Sequence, residues 1–517
     1  MHTYDYVIIG AGSAGCVLAA RLSEDPDIRV ALIEAGGPDT AQEIHVPAAF
    51  SRLFKSDLDW DLDSDPEAGL GGRRIYLPRG KVFGGSSSMN AMIYMRGNPV
   101  DYDGWAAAGA TGWSYADVLP YFRRSEDNER GEDAFHGVGG PLRVSDGRSR
   151  HPLTAAFVEA AVRAGHKPND DFNGDSQLGV GPYQVTQRAG KRCSTAVAYL
   201  HPAMRRPNLT VLSSARAHRV LIEHGRATAV EVGLGGAVER VHAEREVILS
   251  AGVYESPKLL MLSGVGPAAT LSPFGIDVVT DLPVGQGLQD HCMTLLNFRT
   301  HVASLLTAES PENVALFQSA GRGPLASNIG EAGGFFRSRD GIEAPDGQLH
   351  MAPVLFHQEG LGPVTEHGFA LGPCVLAPTS RGAVTLRSSR PDAAPRITHN
   401  YLTTQEDRDC IVNGVRIALD IAAQPPLADV TTGRYDVPES DSGPDVLAWA
   451  RAAGMTLFHP TSTCAMGSVV DAELRVLGVE ALRVVDASVF PTVPRGNTNA
   501  PTVMAAEKAF DLIRESA

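Results

Sequence analysis

Apolar positions along the chain change their spacing from one stretch to the next, and each spacing predicts a different kind of element. Residues 4–9, YDYVII, form a run of β-branched and aromatic residues. A glycine-rich turn follows, then a segment in which Ala14, Val17, Leu18 and Leu22 recur at helical spacing, then a second apolar run, RVALIE. The pattern predicts a strand, helix, strand unit, the opening of a parallel sheet. Strand-like runs return between about 205 and 252 as LTVLSS, HRVLIE and REVILSAG, and once more in the tail as LRVVDAS. A closing helix is predicted from about Pro501, a residue tolerated in a first turn, with Val503, Ala506, Phe510 and Ile513 along one face.

Between about 300 and 455 the pattern loosens into Gly- and Pro-rich sequence with short candidate strands such as AVTLRS, which suits an antiparallel sheet. A chain of 517 residues exceeds what one core usually organises, so two packed domains are expected. The first is discontinuous, built from 1–145, 200–298 and 456–517; the second, which shapes the substrate pocket, takes 146–199 and 299–455. Apolar residues at 43 % and charged ones at 20 % place the chain among folded globular proteins.

A formal net charge of −15 leaves no basic footprint, so no nucleic-acid partner is expected. The six cysteines, at 16, 193, 292, 374, 410 and 464, contain no Cys-x-x-Cys pair, which argues against a disulfide framework and against a metal site. The first apolar segment lacks the flanks of a signal peptide, and no apolar run reaches roughly 18 residues. A cytoplasmic location is expected, with peripheral membrane association left open.

The first turn reads Gly10-Ala11-Gly12-Ser13-Ala14-Gly15 between a predicted strand and a predicted helix, the context that makes a GxGxxG pattern informative. The first glycine permits the tight turn, the second lets the backbone approach a pyrophosphate, and the third lets helix and strand pack closely. Glu34 closes the second strand, where a carboxylate can accept both ribose hydroxyls of an adenosine and repels a 2′-phosphate. This reading leaves FAD and NAD open. A second glycine-rich stretch, from Arg79 to Asn90, lacks the Gly-Lys-Ser/Thr ending of a P-loop and by itself reads as a small-residue turn.

That second stretch continues as RGKVFGGSSSMNAMIYMRG, which resembles the first signature of the glucose-methanol-choline oxidoreductases. ESPKLLMLSGVG from 255 to 266, VGQGLQDH from 284 to 291, HPTSTCAMG, and VVDASVFPTVPRGNTNAPTVMAAEK resemble further family stretches in family order. The overall likeness is to choline dehydrogenase-like and alcohol dehydrogenase-like bacterial members. The resemblance implies an α/β FAD-binding Rossmann-like domain with a second α+β substrate domain on an antiparallel sheet. Gly287 stands where the family usually has Asn, and Phe83 where a smaller aliphatic residue is common. Met89 occupies the position of the histidine that attaches flavin covalently in some members, so non-covalent FAD is expected.

By the same resemblance, Gly10, Gly12, Ser13, Gly15, Glu34 and Ala35 meet the adenosine and pyrophosphate end of FAD. Val82, Gly85, Asn90, Ala91, Met92 and Ile93 run along the cofactor, and Val220 meets the adenine. Asp486, Ala487, Asn497 and Thr498 approach from the C-terminal segment. His459 matches the catalytic histidine: an imidazole can take the hydroxyl proton of an alcohol while hydride passes to flavin N5, giving an aldehyde or ketone. Asn497 matches the partner that holds the substrate oxygen, with Asn499 as the competing choice and the better helix N-terminus. Asp290 and His291 are read as structural, and Cys464 as a buried thiol. Electrons then leave to oxygen, a quinone or another carrier. A lyase on the same flavin scaffold, as in hydroxynitrile lyases, and an NAD-linked dehydrogenase are the alternative readings.

Overall fold

The computed structural model describes residues 2–516. Strand β1 (His2–Ile9), helix α1 (Ser13–Leu22) and strand β2 (Val30–Ile33) form the expected opening unit. β1 lies between β2 and the long strand Ala237–Leu249, parallel to both. The sheet runs Leu209–Leu212, β2, β1, Ala237–Leu249, Arg226–Leu234, Arg216–Glu223, and Leu482–Val484 pairs in parallel with the end of Ala237–Leu249. Its central residues, Val7, Ile8, Ala31, Leu32, Val247 and Ile248, are fully buried. Parallel strands covered on both faces need such uninterrupted apolar runs, whereas the two outer antiparallel strands carry exposed polar residues.

The second sheet is antiparallel, in the order Thr431–Asp436, Leu296–Thr300, Gly368–Val375, Gly347–Ala352, Ala332–Phe336, Gly179–Pro182. Cys292–Met293 and Met455–Thr456 pair at its margin. Leu349, Met351 and Phe369 pack on Leu153 and Phe157 of the helix Pro152–Arg163 and on Val415 and Ala418 of the helix Gln405–Ala422. The AVTLRS stretch does form a strand, Gly382–Thr385, but in a separate three-stranded sheet with Gln286–Leu288 and Arg396–Thr398.

The closing helix, Asn499–Ser516, buries Val503, Ala506, Phe510 and Ile513 as its spacing requires and lies against α1. It also buries Glu507 completely, which the pattern alone does not explain. Two guanidiniums account for it: Arg21 Nη2 and Arg124 Nε each lie 2.9 Å from its carboxylate, and the Tyr199 hydroxyl donates to it at 2.8 Å. No helix among the described residues is long and apolar enough to cross a membrane.

The glycine turn works as its spacing predicts. Gly10 has φ +99°, and a Cβ on Gly15 would sit 1.9 Å from the Gly10 carbonyl oxygen, so strand and helix close only on a hydrogen. Gly15→Val is expected to destabilise the apoprotein by about 3 kcal/mol or more. Gly104, in the helix Pro99–Ala107 with no neighbour within 4 Å, is the control: Gly104→Ala should leave stability unchanged or raise it by about 0.5–1 kcal/mol. Thermal unfolding of the two variants measures the contrast.

Candidate active site

One cleft runs from the N-terminus of α1 to the edge of the antiparallel sheet, with an empty volume of about 2130 Å³ including its open mouth. Its wall joins the glycine turn, the second glycine-rich loop and the segments around His459 and Asn497, so one continuous cleft serves both ends. At one end stand Gly10, Gly12, Ser13, Glu34 and Ala35. No side chain caps α1 and its first turn carries no acid, so its leading N–H groups remain available to an anion. Glu34 accepts from Ala11 N and Gly36 N, each at 2.8 Å. Burial nevertheless pushes its pKa up to about 7, against the pull of those donors.

The second glycine-rich loop lies directly on the first. Gly84 N donates to Ala11 O at 2.7 Å, and a Cβ on Gly85 would come within 2.7 Å of Gly12 Cα. Gly85, Asn90, Ala91, Met92 and Ile93 line the cleft. Asn90 Oδ1 accepts from Met92 N at 3.0 Å and from Arg192 Nη1 at 2.8 Å. Arg192 donates also to Ile44 O and Ser87 O, yet among the described residues this buried guanidinium has no carboxylate partner and its Nη2 no hydrogen-bond partner. A buried cation left without a counter-charge is costly; Arg192 is not itself on the cleft wall and meets it through Asn90. The sequence KRCSTAVAYL offers no periodic signal for Arg192, so sequence reasoning passed over it.

At the other end, His459 Nε2 lies 3.1 Å from Asn497 Nδ2, and His459 Nδ1 lies 3.0 Å from His291 Nδ1. As the Asn497 amide is oriented, it donates to Nε2, so the proton of a neutral His459 sits on Nδ1 and is given to His291. Burial holds His459 well below the ordinary imidazole pKa, with His291, His350 and Arg79 adding to the effect. His291 and His350 are likewise pushed down by burial, to about 4 and about 3. The His459 main chain is fixed by Asp290, whose Oδ1 accepts from His459 N at 2.8 Å and from His291 N at 2.9 Å. Its Oδ2 accepts from the hydroxyls of Tyr401 and Thr456.

Asn497 and Thr498 line the cleft just before the closing helix, and Asn499 Oδ1 accepts from Ser13 Oγ at 2.8 Å, joining the N-termini of two helices. Asp486 and Ala487 also line it, but the Asp486 carboxylate is engaged by Gly252 N, Ser256 Oγ and Ser488 N. Gly15, Val82 and Val220 are not on its wall. Val82 packs with Ile44, Phe50 and Tyr76, and Val220 is buried with its N–H on Ser263 Oγ; Ala215, Arg216 and Ala217 reach the cleft instead. Sequence reasoning also missed His350 and Gln348. Both are polar residues buried on the strand Gly347–Ala352, and their spacing of two puts them on one face.

Residues 4–293 and 378–506 match family models described as GMC oxidoreductase. An uncharacterised GMC-type oxidoreductase of Mycobacterium tuberculosis is 48 % identical, with 99 % of each chain covered. An oxygen-dependent choline dehydrogenase of Photobacterium profundum is 42 % identical over 99 % of this chain and 93 % of its own. The crystal structure of pyridoxine 4-oxidase from Mesorbium loti superposes with TM-score 0.90 at 32 % identity over 98 % of both chains. These matches, over nearly the whole chain, make it a flavin-dependent oxidoreductase. The chain belongs to the GMC oxidoreductase family, FAD-dependent enzymes acting on CH–OH donors. This removes the NAD-linked alternative. The uncapped α1 and the backbone-to-backbone loop contact fit FAD.

Glu34 carries a pH-dependent consequence. Between its ordinary value of 4.5 and about 7, the folded apoprotein keeps a proton that the unfolded chain has released, so this group's contribution to stability falls as pH rises through that window. Thermal melts of wild type and Glu34→Gln should therefore diverge with pH between those limits and run parallel above them. At pH 8 the variant should bind FAD at least about tenfold more weakly, since it loses a charged acceptor; equal affinity would remove Glu34 from the ribose site.

Proposed function

We propose that the protein oxidises a small-molecule alcohol to an aldehyde or ketone, with His459 as the base and Asn497 holding the substrate oxygen. The observation that carries this reading is the His459 Nε2 to Asn497 Nδ2 pair at 3.1 Å on the wall of the cleft that begins at the α1 glycines. Bound FAD supplies the hydride acceptor. An alkoxide expels hydride far more readily than an alcohol, so the protein's share of the chemistry is to receive the hydroxyl proton. Held neutral by burial, His459 has Nε2 free to take that proton once the Asn497 amide turns to the substrate oxygen. The Nδ1 contact to His291 fixes the ring plane meanwhile. Gln348 Nε2, 3.4 Å from Asn497 Oδ1, supports the amide from the far side.

The relatives support the same reading, since a choline dehydrogenase and a pyridoxine 4-oxidase both act on hydroxyl-bearing small molecules. Electrons then pass to oxygen, a quinone or another carrier. A lyase on this scaffold predicts no flavin bleaching, so anaerobic reduction by an alcohol separates the two readings.

His459→Ala should retain FAD while losing about 10²- to 10⁴-fold in the rate of anaerobic flavin reduction. In the wild type that rate should fall on the acid side of the pH profile, as protonation removes the base; a rate that increases with acidity overturns the role of His459. Because Met89 stands where a flavin-linking histidine would, acid precipitation should leave the yellow chromophore in the supernatant. Colour retained in the pellet would show a covalent link.

A further inference from the structure

Resting on that reading, we propose that Arg495 is a positioning residue for Asn497: clamped by Asp101, it sets the amide that meets the substrate oxygen against His459. Asn497 Nδ2 donates to His459 Nε2 at 3.1 Å and its Oδ1 accepts from Gln348 Nε2 at 3.4 Å. These contacts orient the side chain and leave the main chain to be fixed from elsewhere. An amide that must face both an imidazole and a substrate oxygen tolerates little displacement, since an error of about 1 Å in such a geometry costs roughly 10²-fold in rate.

The fixing comes from the segment just before it. Arg495 N donates to Asp101 Oδ2 at 2.7 Å, and Arg495 Nη1 donates to Oδ1 of the same carboxylate. Main chain and side chain of one residue thus close on one acid. Arg495 O accepts from Gln177 Nε2 at 2.6 Å, and Gln177 Oε1 in turn accepts from Asn98 Nδ2 at 3.0 Å. Bare backbone lies beneath: a Cβ on Gly496 would come within 3.2 Å of Met95 Cβ, and one on Gly97 within 3.0 Å of Pro494 Cβ.

Asp101 is itself held. It is the third residue of the helix Pro99–Ala107, its Oδ2 accepts also from Asn98 N at 2.9 Å in a capping box, and its side chain is buried. A carboxylate so buried is tolerable only with its cation in place, which keeps Arg495 where it is. The turn before that helix continues the stretch whose Asn90, Ala91, Met92 and Ile93 line the cleft, so Asn497 is referred to the cofactor loop. Arg495 Nε donates to Pro345 O at 3.0 Å, two residues before the strand Gly347–Ala352 that carries Gln348. One arginine therefore ties together the main chain leading into Asn497, the cofactor loop and the strand of Gln348. Neither Arg495 nor Asp101 is on the cleft wall. The charge of Arg495 also reaches His291, whose pKa it lowers, so placement and charge have to be separated.

Anaerobic flavin reduction of the holoenzyme, driven by the best reductant of an aliphatic and benzylic alcohol panel at saturation, tests this. Arg495→Lys keeps the charge and loses the planar fork. Its limiting rate should fall about 10- to 100-fold, with FAD affinity unchanged. Gln177→Met leaves the buried ion pair intact and removes only the donor to Arg495 O; its rate should fall by about threefold or more, and it decides alone if the lysine variant does not fold. In an Asn497→Ala background both losses should shrink below about twofold, because a residue that acts through Asn497 has nothing left to place. Losses that persist undiminished in that background overturn the proposal, as do single variants that match the wild type. A lysine variant that matches the wild type while Arg495→Gln does not also overturns it, and assigns the effect to charge on His291. If Asn497→Ala alone reduces flavin at the wild-type rate, the role of Asn497 falls and this proposal with it; if no alcohol bleaches the flavin, it is the oxidoreductase reading that fails first.

Discussion

The geometry of the reacting end hangs on one buried carboxylate. Asp290 gathers the main-chain N–H groups of His291 and His459 and the hydroxyls of Tyr401 and Thr456, four donors from stretches far apart in the chain. A carboxylate removed from water is tolerable only when its lone pairs are filled in this way, and the same filling makes it rigid. It therefore holds His459 by the backbone, leaving the imidazole free for Asn497 on one side and His291 on the other. The backbone of His459 is thus held from Asp290, and its ring is oriented separately by His291 and Asn497.

The opposite end is organised by the lack of side chains. Gly10, Gly15 and Gly85 let three pieces of backbone approach to distances that no Cβ would permit, and the space so gained becomes the head of the cleft. Between the two ends lies Arg192, a buried cation with one guanidinium nitrogen unsatisfied, which ties Asn90 to the interior. A cofactor that binds the folded chain and not the unfolded one stabilises it by mass action, so the FAD-loaded protein should be more stable than the apoprotein.

Much of this was legible in the residues. The β1–α1–β2 unit, the buried face of the closing helix and the placing of Glu34 at the end of β2 follow from period and from glycine spacing, because those signals are local. His459 and Asn497 came from resemblance to a family, since a histidine among sixteen carries no mark of its function in its neighbours' periodicity. Val220 shows where such transfer thins out. A strand has two faces, and the stretch Ala215–Ala217, not Val220, is the part that comes to the cleft wall. His291 was read as structural alongside Asp290, and the structure puts its ring edge-on to His459, centroids 5.2 Å apart.

By itself the sequence determined what is short in range: a strand-to-helix turn that only glycines can make, an acid at the end of the second strand, and two sheets of different pairing. Which side chains meet across the cleft was decided by the tertiary structure. His459 and Asn497 are brought together by the pairing of Met455–Thr456 with Cys292–Met293 and by the closing helix docking on α1. The apolar part of the cleft wall is drawn from segments near 54, 295, 329, 356 and 457. No local pattern encodes such a surface, because hydrophobic burial fixes how much apolar area is covered and only the packed chain fixes which residues share it.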